Sequence, residues 1–289
     1  MKISLLKLSE KIMLVIAGGD GLIGGSIVKN LLILDNGVIS SSCLSDRNCS
    51  KEELIDTLRD IFNSFIVKRY DELIFIFACG KGGFSLEEEI AIEQQKRLIK
   101  ILDMFNSIPI FRKRFILISS LGAHLSPVES VYKSYVFSIE KEVSKLDSFN
   151  IIRLPGVWGF KENTRKPIGL VANLLYSVHR RDACNIYGNL NTLRSYLAAD
   201  NVGKTIADLM KENFTIKIDS IINLSSNFSY TIQEIINLVK RTTGRRVFFM
   251  LNYENIVDEK SHVGKLFDGN NIPVLECLHT EIKKTWRNL

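Results

Sequence analysis

Gly18, Gly21 and Gly24 recur at every third position of the stretch Ala17-Gly-Gly-Asp-Gly-Leu-Ile-Gly24, between an apolar run and a helical pattern. Glycines so placed make room for a dinucleotide. The first permits a positive-φ turn, the second lets the backbone approach a pyrophosphate, and the third lets the helix pack close to the strand. The helix opening at Leu22 and Ile23 then offers free amides and its positive dipole end to the phosphates. Roughly 20 residues further on, where such folds meet the adenosine ribose, Asp46 and Arg47 stand side by side. An aspartate suits the free 2′-hydroxyl of NAD and an arginine the 2′-phosphate of NADP, so the cofactor reads as NAD or NADP with the choice open.

The elements that must hold this turn are legible in the apolar periodicity. Residues 12–17 form a continuous apolar run of strand length, as in a strand buried on both faces of a parallel sheet. Ile23, Ile27, Leu31 and Leu34 then recur at three to four, the stripe of an amphipathic helix. A Ser-rich second strand is expected over 38–44 and a helix over 51–68, capped by Ser50 with Glu53. Strands at 73–79, 115–119 and 150–153 alternate with helices at 86–105 and 130–146. Such alternation predicts an α/β fold, a Rossmann-type doubly wound parallel sheet over residues 1–160. Beyond residue 160 the pattern loosens into a smaller C-terminal substrate-binding lobe, 161–289, with helices expected at 168–179, 199–211 and 231–242. Strands are expected there at 220–224 and 247–251, with a segment of about 190–225 returning to the main sheet.

Composition narrows the function classes. The 46% hydrophobic and 24% charged content is that of a globular protein. A net charge of +6 is spread over short clusters, Arg112-Lys113-Arg114, Arg180-Arg181 and Arg245-Arg246, which read as solvated faces or as a site for a small anionic substrate rather than for nucleic acid. Five cysteines, odd in number and never spaced C-x-x-C, indicate free thiols in a reducing compartment. The charges of Lys2, Lys7, Glu10 and Lys11 leave no room for a signal peptide or a membrane span around residues 12–17, so the expected location is cytoplasmic, with no membrane partner. The four histidines lack metal-ligand spacing, and no metal is expected.

Six segments in order carry a family resemblance. The glycine turn, "LIFIFACG", "RFILISSLGAH", "IIRLPGVWG", "RSYLAADNVGKTIADLM" and "INLSSNFSYTIQEIINLVKRTTGR" together resemble the extended short-chain dehydrogenase/reductases, the branch of NAD-dependent epimerases, dehydratases and 4-keto reductases of nucleotide sugars. The resemblance spans about residues 12–245. It implies that Ala78 and Pro155 lie beside the cofactor, that Ser119 or Ser120 holds the substrate oxygen, with Ser120 favoured at the strand's carboxyl end, and that Arg194 grips the substrate diphosphate. It also implies a tyrosine acid/base with a lysine four residues later on the same helix face, whose charge favours the phenolate.

The chain departs from this pattern twice. In "SVYKSYVFSIEKEV", Tyr132 is followed at four residues by Val136 and Tyr135 by Ile139, so neither register supplies the lysine. Tyr132 is the preferred register because it places Glu140 and Lys141 where related helices carry a Glu-Lys pair; Tyr135 would instead place Ser138 where many have a serine. Lys133 lies about 100° round the helix from Tyr132 and cannot stand in. Gly156, expected at the substrate, occupies the position where relatives usually have an asparagine.

The function the resemblance implies is NAD(P)-dependent chemistry on a nucleotide-diphosphate sugar, most directly reduction of a 4-keto-6-deoxy sugar, with epimerisation next. A catalytically silent NAD(P)-binding protein is the alternative raised by the missing lysine. Related proteins often form homodimers through the helices equivalent to 86–105 and 130–146.

Overall fold

The computed structural model describes residues 2–9, 12–34, 40–43, 59–60, 72–80, 83, 86–109, 112–126, 129–161, 164–211, 219–226, 228–252, 270–274 and 277–289. In chain order these form β1 (Lys2–Ser9), β2 (Ile12–Ala17), α1 (Leu22–Leu34), β3 (Ser40–Cys43), β4 (Glu72–Phe77), α2 (Glu88–Ser107), β5 (Arg112–Ser120), α3 (Leu121–Leu125) and α4 (Val131–Val143). There follow β6 (Phe149–Leu154), β7 (Gly156–Phe160), β8 (Pro167–Ile168), α5 (Leu170–Arg180), β9 (Ala183–Tyr187), β10 (Leu193–Arg194), β11 (Tyr196–Ala198) and α6 (Ala199–Lys211). The last elements are β12 (Ser220–Ser226), β13 (Tyr230–Thr231), α7 (Ile232–Thr243), β14 (Phe248–Asn252), β15 (Asn270–Val274) and α8 (Leu278–Arg287).

The main sheet runs β15-β12-β6-β5-β4-β2-β1-β3 and is parallel from β15 to β2. The continuous apolar runs follow from burial on both faces, because successive side chains alternate across a strand. Val15, Phe75, Phe77, Phe115 and Leu117 face α2 and α4, where Phe75 stacks on Phe115 at 5.2 Å between centroids. Leu14, Ile16, Ile74, Ile76 and Ile116 face α1 and α6 on the other side. Each such fully buried side chain contributes about 1.5–3 kcal/mol relative to exposure.

Two features depart from the expectation of a parallel sheet with no element before residue 12. β1 pairs antiparallel with both β2 and β3, separating the first strand from the second and making the sheet mixed. The adjacent pair Leu5-Leu6 interrupts the polar-apolar alternation of Lys2–Ser9, so periodicity alone did not mark it as a strand. The expected helix over 51–68 lies outside the described residues except at 59–60, which are helical.

A third core joins Trp158, Leu174, Leu175, Ile186, Ile235, Val239 and Ile282, with α5, α7 and α8 packed beneath the small sheets β9-β14 and β10-β13. Between them the chain rejoins the main sheet: α6 lies on α1, and β12 inserts between β6 and β15.

Close approach of α1 and α6 depends on Gly203, where a Cβ would sit 2.5 Å from the carbonyl carbon and oxygen of Ser26. Ser26 Oγ donates to Ala199 O at 2.7 Å and Lys29 pairs with Asp200 at 3.2 Å across the same contact. Gly203→Ala should therefore lower stability by about 1–3 kcal/mol in urea unfolding, overpacking outweighing alanine's better helix propensity.

Candidate active site

Gly18, Ala78, Ser120 and Pro155 follow or end four adjacent parallel strands, β2, β4, β5 and β6, and so meet at one carboxyl edge of the sheet. Ligands of open α/β sheets bind in the crevice outside such an edge. At the turn, Gly18 adopts φ +90°, and a Cβ there would lie 2.5 Å from Ala78 O. A Cβ on Gly24 would collide with Gly18 O, while Gly21 N–H donates to that same oxygen at 2.9 Å. Helix geometry leaves the amides of Leu22, Ile23 and Gly24 without intrahelical acceptors, at the positive end of the 13-residue α1. The turn thus has the bare backbone and free donors that a dinucleotide pyrophosphate requires. Ile23 and Ala78 also pack on the core beneath it. Asp46 and Arg47 lie outside the described residues.

Both tyrosines reach this edge from α4, whose N-cap Ser130 accepts Lys133 N–H at 3.1 Å. Tyr132 is half-buried and shares a hydrogen bond with the side chain of Ser120; burial raises its phenol, and the Ser120 bond opposes the rise. Tyr135 is buried, and its hydroxyl lies 3.6 Å from where a Cβ of Gly80 would stand. Burial pushes Tyr135 up to about 12, with Tyr132 and Cys79 acting in the same direction and the guanidinium of Arg97, on α2, opposing. Arg97 Nε is itself buried without a hydrogen-bond partner among the described residues.

Ser119 and Ser120 have separate surroundings. Ser120 Oγ caps α3 by accepting Ala123 N–H at 3.3 Å and faces Tyr132. Ser119 Oγ instead donates to the Glu140 carboxylate at 2.5 Å. That carboxylate also lies 3.0 Å from His124 Nε2 and accepts from Arg153 Nη2 at 2.6 Å, in a cluster only 7–12% exposed. Burial alone would raise Glu140, but the bonds from His124, Arg153 and Ser119 hold it below the usual carboxylate range. Glu140 lies two turns from Tyr132 on the same helix face; its spacing marked a register, but its partners come from three other elements and no local pattern showed them.

The missing lysine is not restored nearby on the helix. Val136 is buried in the core against α2, and Lys133 Nζ turns to Ser126 O at 3.3 Å and Glu129 at 2.6 Å. On the far side of the edge, β7–β11 pairing sets Gly156 opposite Tyr196, its absent Cβ 3.1 Å from that ring. Arg194 lies close enough for its charge to oppose the burial that pushes Tyr196 up to about 12. The two expected substrate positions, Gly156 and Arg194, are thereby brought together. Among the described residues there is no cluster of three or more metal-ligating side chains, and no helix is long and apolar enough to cross a membrane.

Glu140→Gln should cost about 3–5 kcal/mol by leaving Arg153 buried without its anion. Because folding lowers the Glu140 pKa, its contribution is fully present above the unfolded carboxylate value and is lost as pH falls through the folded one. Wild-type stability measured by urea unfolding should therefore drop more steeply with acid than that of the variant.

No protein-family model matches the chain, and no curated protein matches it by sequence. Solved structures match over nearly its whole length. UDP-glucose 4-epimerase of Thermotoga maritima, with UDP-glucose, shares 16% identity at a TM-score of 0.69, covering 96% of this chain and 97% of its own. A GDP-6-OMe-4-keto-L-xylo-heptose reductase of C. jejuni shares 13% at 0.66, covering 97% of each. RMD of Pseudomonas aeruginosa, with NADPH, shares 12% at 0.70, covering 97% and 100%. The chain has the α/β fold, with a Rossmann-type parallel sheet, of the nucleotide-sugar epimerases and reductases among the extended short-chain dehydrogenase/reductases.

Proposed function

We propose that the protein is an NAD(P)-dependent oxidoreductase of nucleotide-linked sugars, acting as a reductase of a 4-keto-6-deoxy sugar. The observation that carries this is the Tyr132–Ser120 hydrogen bond at the carboxyl edge of β5, beside the glycine turn. Bound NAD(P)H would supply a hydride to the keto carbon. Ser120 holds the carbonyl oxygen, and Tyr132 donates its phenolic proton to that oxygen as the alcohol forms. Burial favours the protonated phenol at neutral pH, which suits a proton donor in one-way reduction better than the base of a reversible epimerisation. Arg194 grips the diphosphate, and the small Gly156 leaves the sugar pocket to the Tyr196 ring. A homodimer would form through α2 and α4, which expose Ile92 and Phe137.

A second function, dinucleotide binding without turnover, is favoured by the burial of Val136 and by the turn of Lys133 away from Tyr132. Two measurements separate them. NADH or NADPH should raise Tm, and a nucleotide-linked 4-keto-6-deoxy sugar should then drive its oxidation. Tyr132→Phe should lower kcat about 100-fold or more, and Tyr135→Phe much less. A Tm shift without turnover supports the silent binder, and the reverse ranking of the two variants would move the acid to Tyr135.

A further inference from the structure

We propose that Ser119 is a positioning residue: through Glu140 it holds α4 on β5, so that Tyr132 and Ser120 stay aligned when a substrate oxygen parts them. The role rests on the reading of Tyr132 and Ser120 as the reacting pair. Two side-chain links join α4 to the end of β5. One is the hydrogen bond between Tyr132 and Ser120, and the other is the bond that Ser119 Oγ donates to the Glu140 carboxylate at 2.5 Å. Tyr132 and Glu140 lie two turns apart on one helix face, whereas Ser119 and Ser120 are consecutive, so the links together set the register of the helix on the strand.

Only one of these links can persist through the reaction. Each hydroxyl has a single proton to donate, so when both donate to a carbonyl oxygen neither has one left for the other. The Tyr132–Ser120 bond is then given up, and Glu140 remains as the attachment. Its carboxylate accepts from Ser119, the residue before Ser120, and lies 3.0 Å from Nε2 of His124, in the short helix α3. Ser120 Oγ caps that helix at Ala123 N–H, so Glu140 holds the chain on both sides of Ser120. The other contacts of α4 with the core beneath it come from Val136, Ile139 and Val143, which are apolar and non-directional and set no register. Ser119 is also the member of the cluster that can be removed with least damage. His124 and Arg153 would still satisfy the carboxylate, whereas loss of Glu140 leaves Arg153 buried without its anion.

The test places 3-fluorotyrosine at position 132 of the whole chain and follows its fluorine resonance with pH, without cofactor, so that the result does not depend on turnover. The bond from Ser120 opposes the rise that burial imposes on the Tyr132 phenol. Ser119→Ala should therefore loosen the pair and move the phenol titration to higher pH, and Ser119→Thr, which keeps the hydroxyl, should restore it. Val239→Ala, fully buried in the small-lobe core, should lower Tm at least as much and leave the titration in place. With NAD(P)H and a nucleotide-linked 4-keto-6-deoxy sugar, Ser119→Ala should lower kcat about tenfold at unchanged KM, as misplacement of a reacting group does. A titration unmoved by Ser119→Ala, or moved equally by Val239→Ala, would overturn the proposal, and so would a loss carried by KM alone. A wild type that never turns over would defeat the oxidoreductase reading, while the fluorine titration would still decide whether Ser119 positions Tyr132.

Discussion

Contact of backbone on backbone, possible only without a Cβ, fixes the geometry on which the rest of the structure depends. Gly18 lets the chain leave β2 against Ala78 O, and Gly24 lets the first turn of α1 close over Gly18 O. Gly203 then lets α6 lie on α1 against the backbone of Ser26. These three approaches lock the end of β4, the turn, α1 and α6 into one rigid series, because close-packed interiors transmit displacements rather than absorb them. α6 in turn follows β10 and β11, so the position of Arg194 and Tyr196 relative to the glycine turn depends on the same contacts.

Against this frame the carboxyl edge divides into a supporting and a reacting part. Glu140 gathers Ser119, His124 and Arg153 into a buried ionic cluster joining α4, β5, α3 and β6. Its cost of desolvation is offset by several charge-assisted bonds at one carboxylate. Ser120, the next residue, instead caps α3 and bonds to Tyr132, two turns earlier on the same helix as Glu140. The tyrosine pair lacks the i+4 lysine that the resemblance implies, and the positive charge that opposes the burial of Tyr135 comes from a different helix, as Arg97.

The small lobe shows how segments that are unremarkable singly acquire meaning together. Arg180-Arg181 and Arg245-Arg246 each look like a solvated helix end along the chain. Parallel pairing of β9 with β14 sets them side by side at one end of a small sheet whose outward face carries Phe248, Met250 and Tyr187.

The sequence by itself determined the local alternation: β2, the glycine turn, α1, the buried strands β4, β5, β6 and β12, and the helices α2, α4, α5, α6 and α7, whereas α3 and the short strands β7 to β11 and β13 emerged only in the tertiary structure. The former rest on apolar periods and on glycines whose neighbours are a few residues away, so they are written in contiguous stretches. It also identified Tyr132, Ser120, Gly156 and Arg194 as residues of interest, and the fold brings them to one sheet edge in the pairs Tyr132–Ser120 and Gly156–Arg194. Tertiary structure alone decided the antiparallel insertion of β1, the division of labour between Ser119 and Ser120, the partners of Glu140, and the approach of Arg97 to Tyr135. Each of these joins residues distant along the chain, and such contacts arise from how whole elements pack rather than from any pattern a single segment carries.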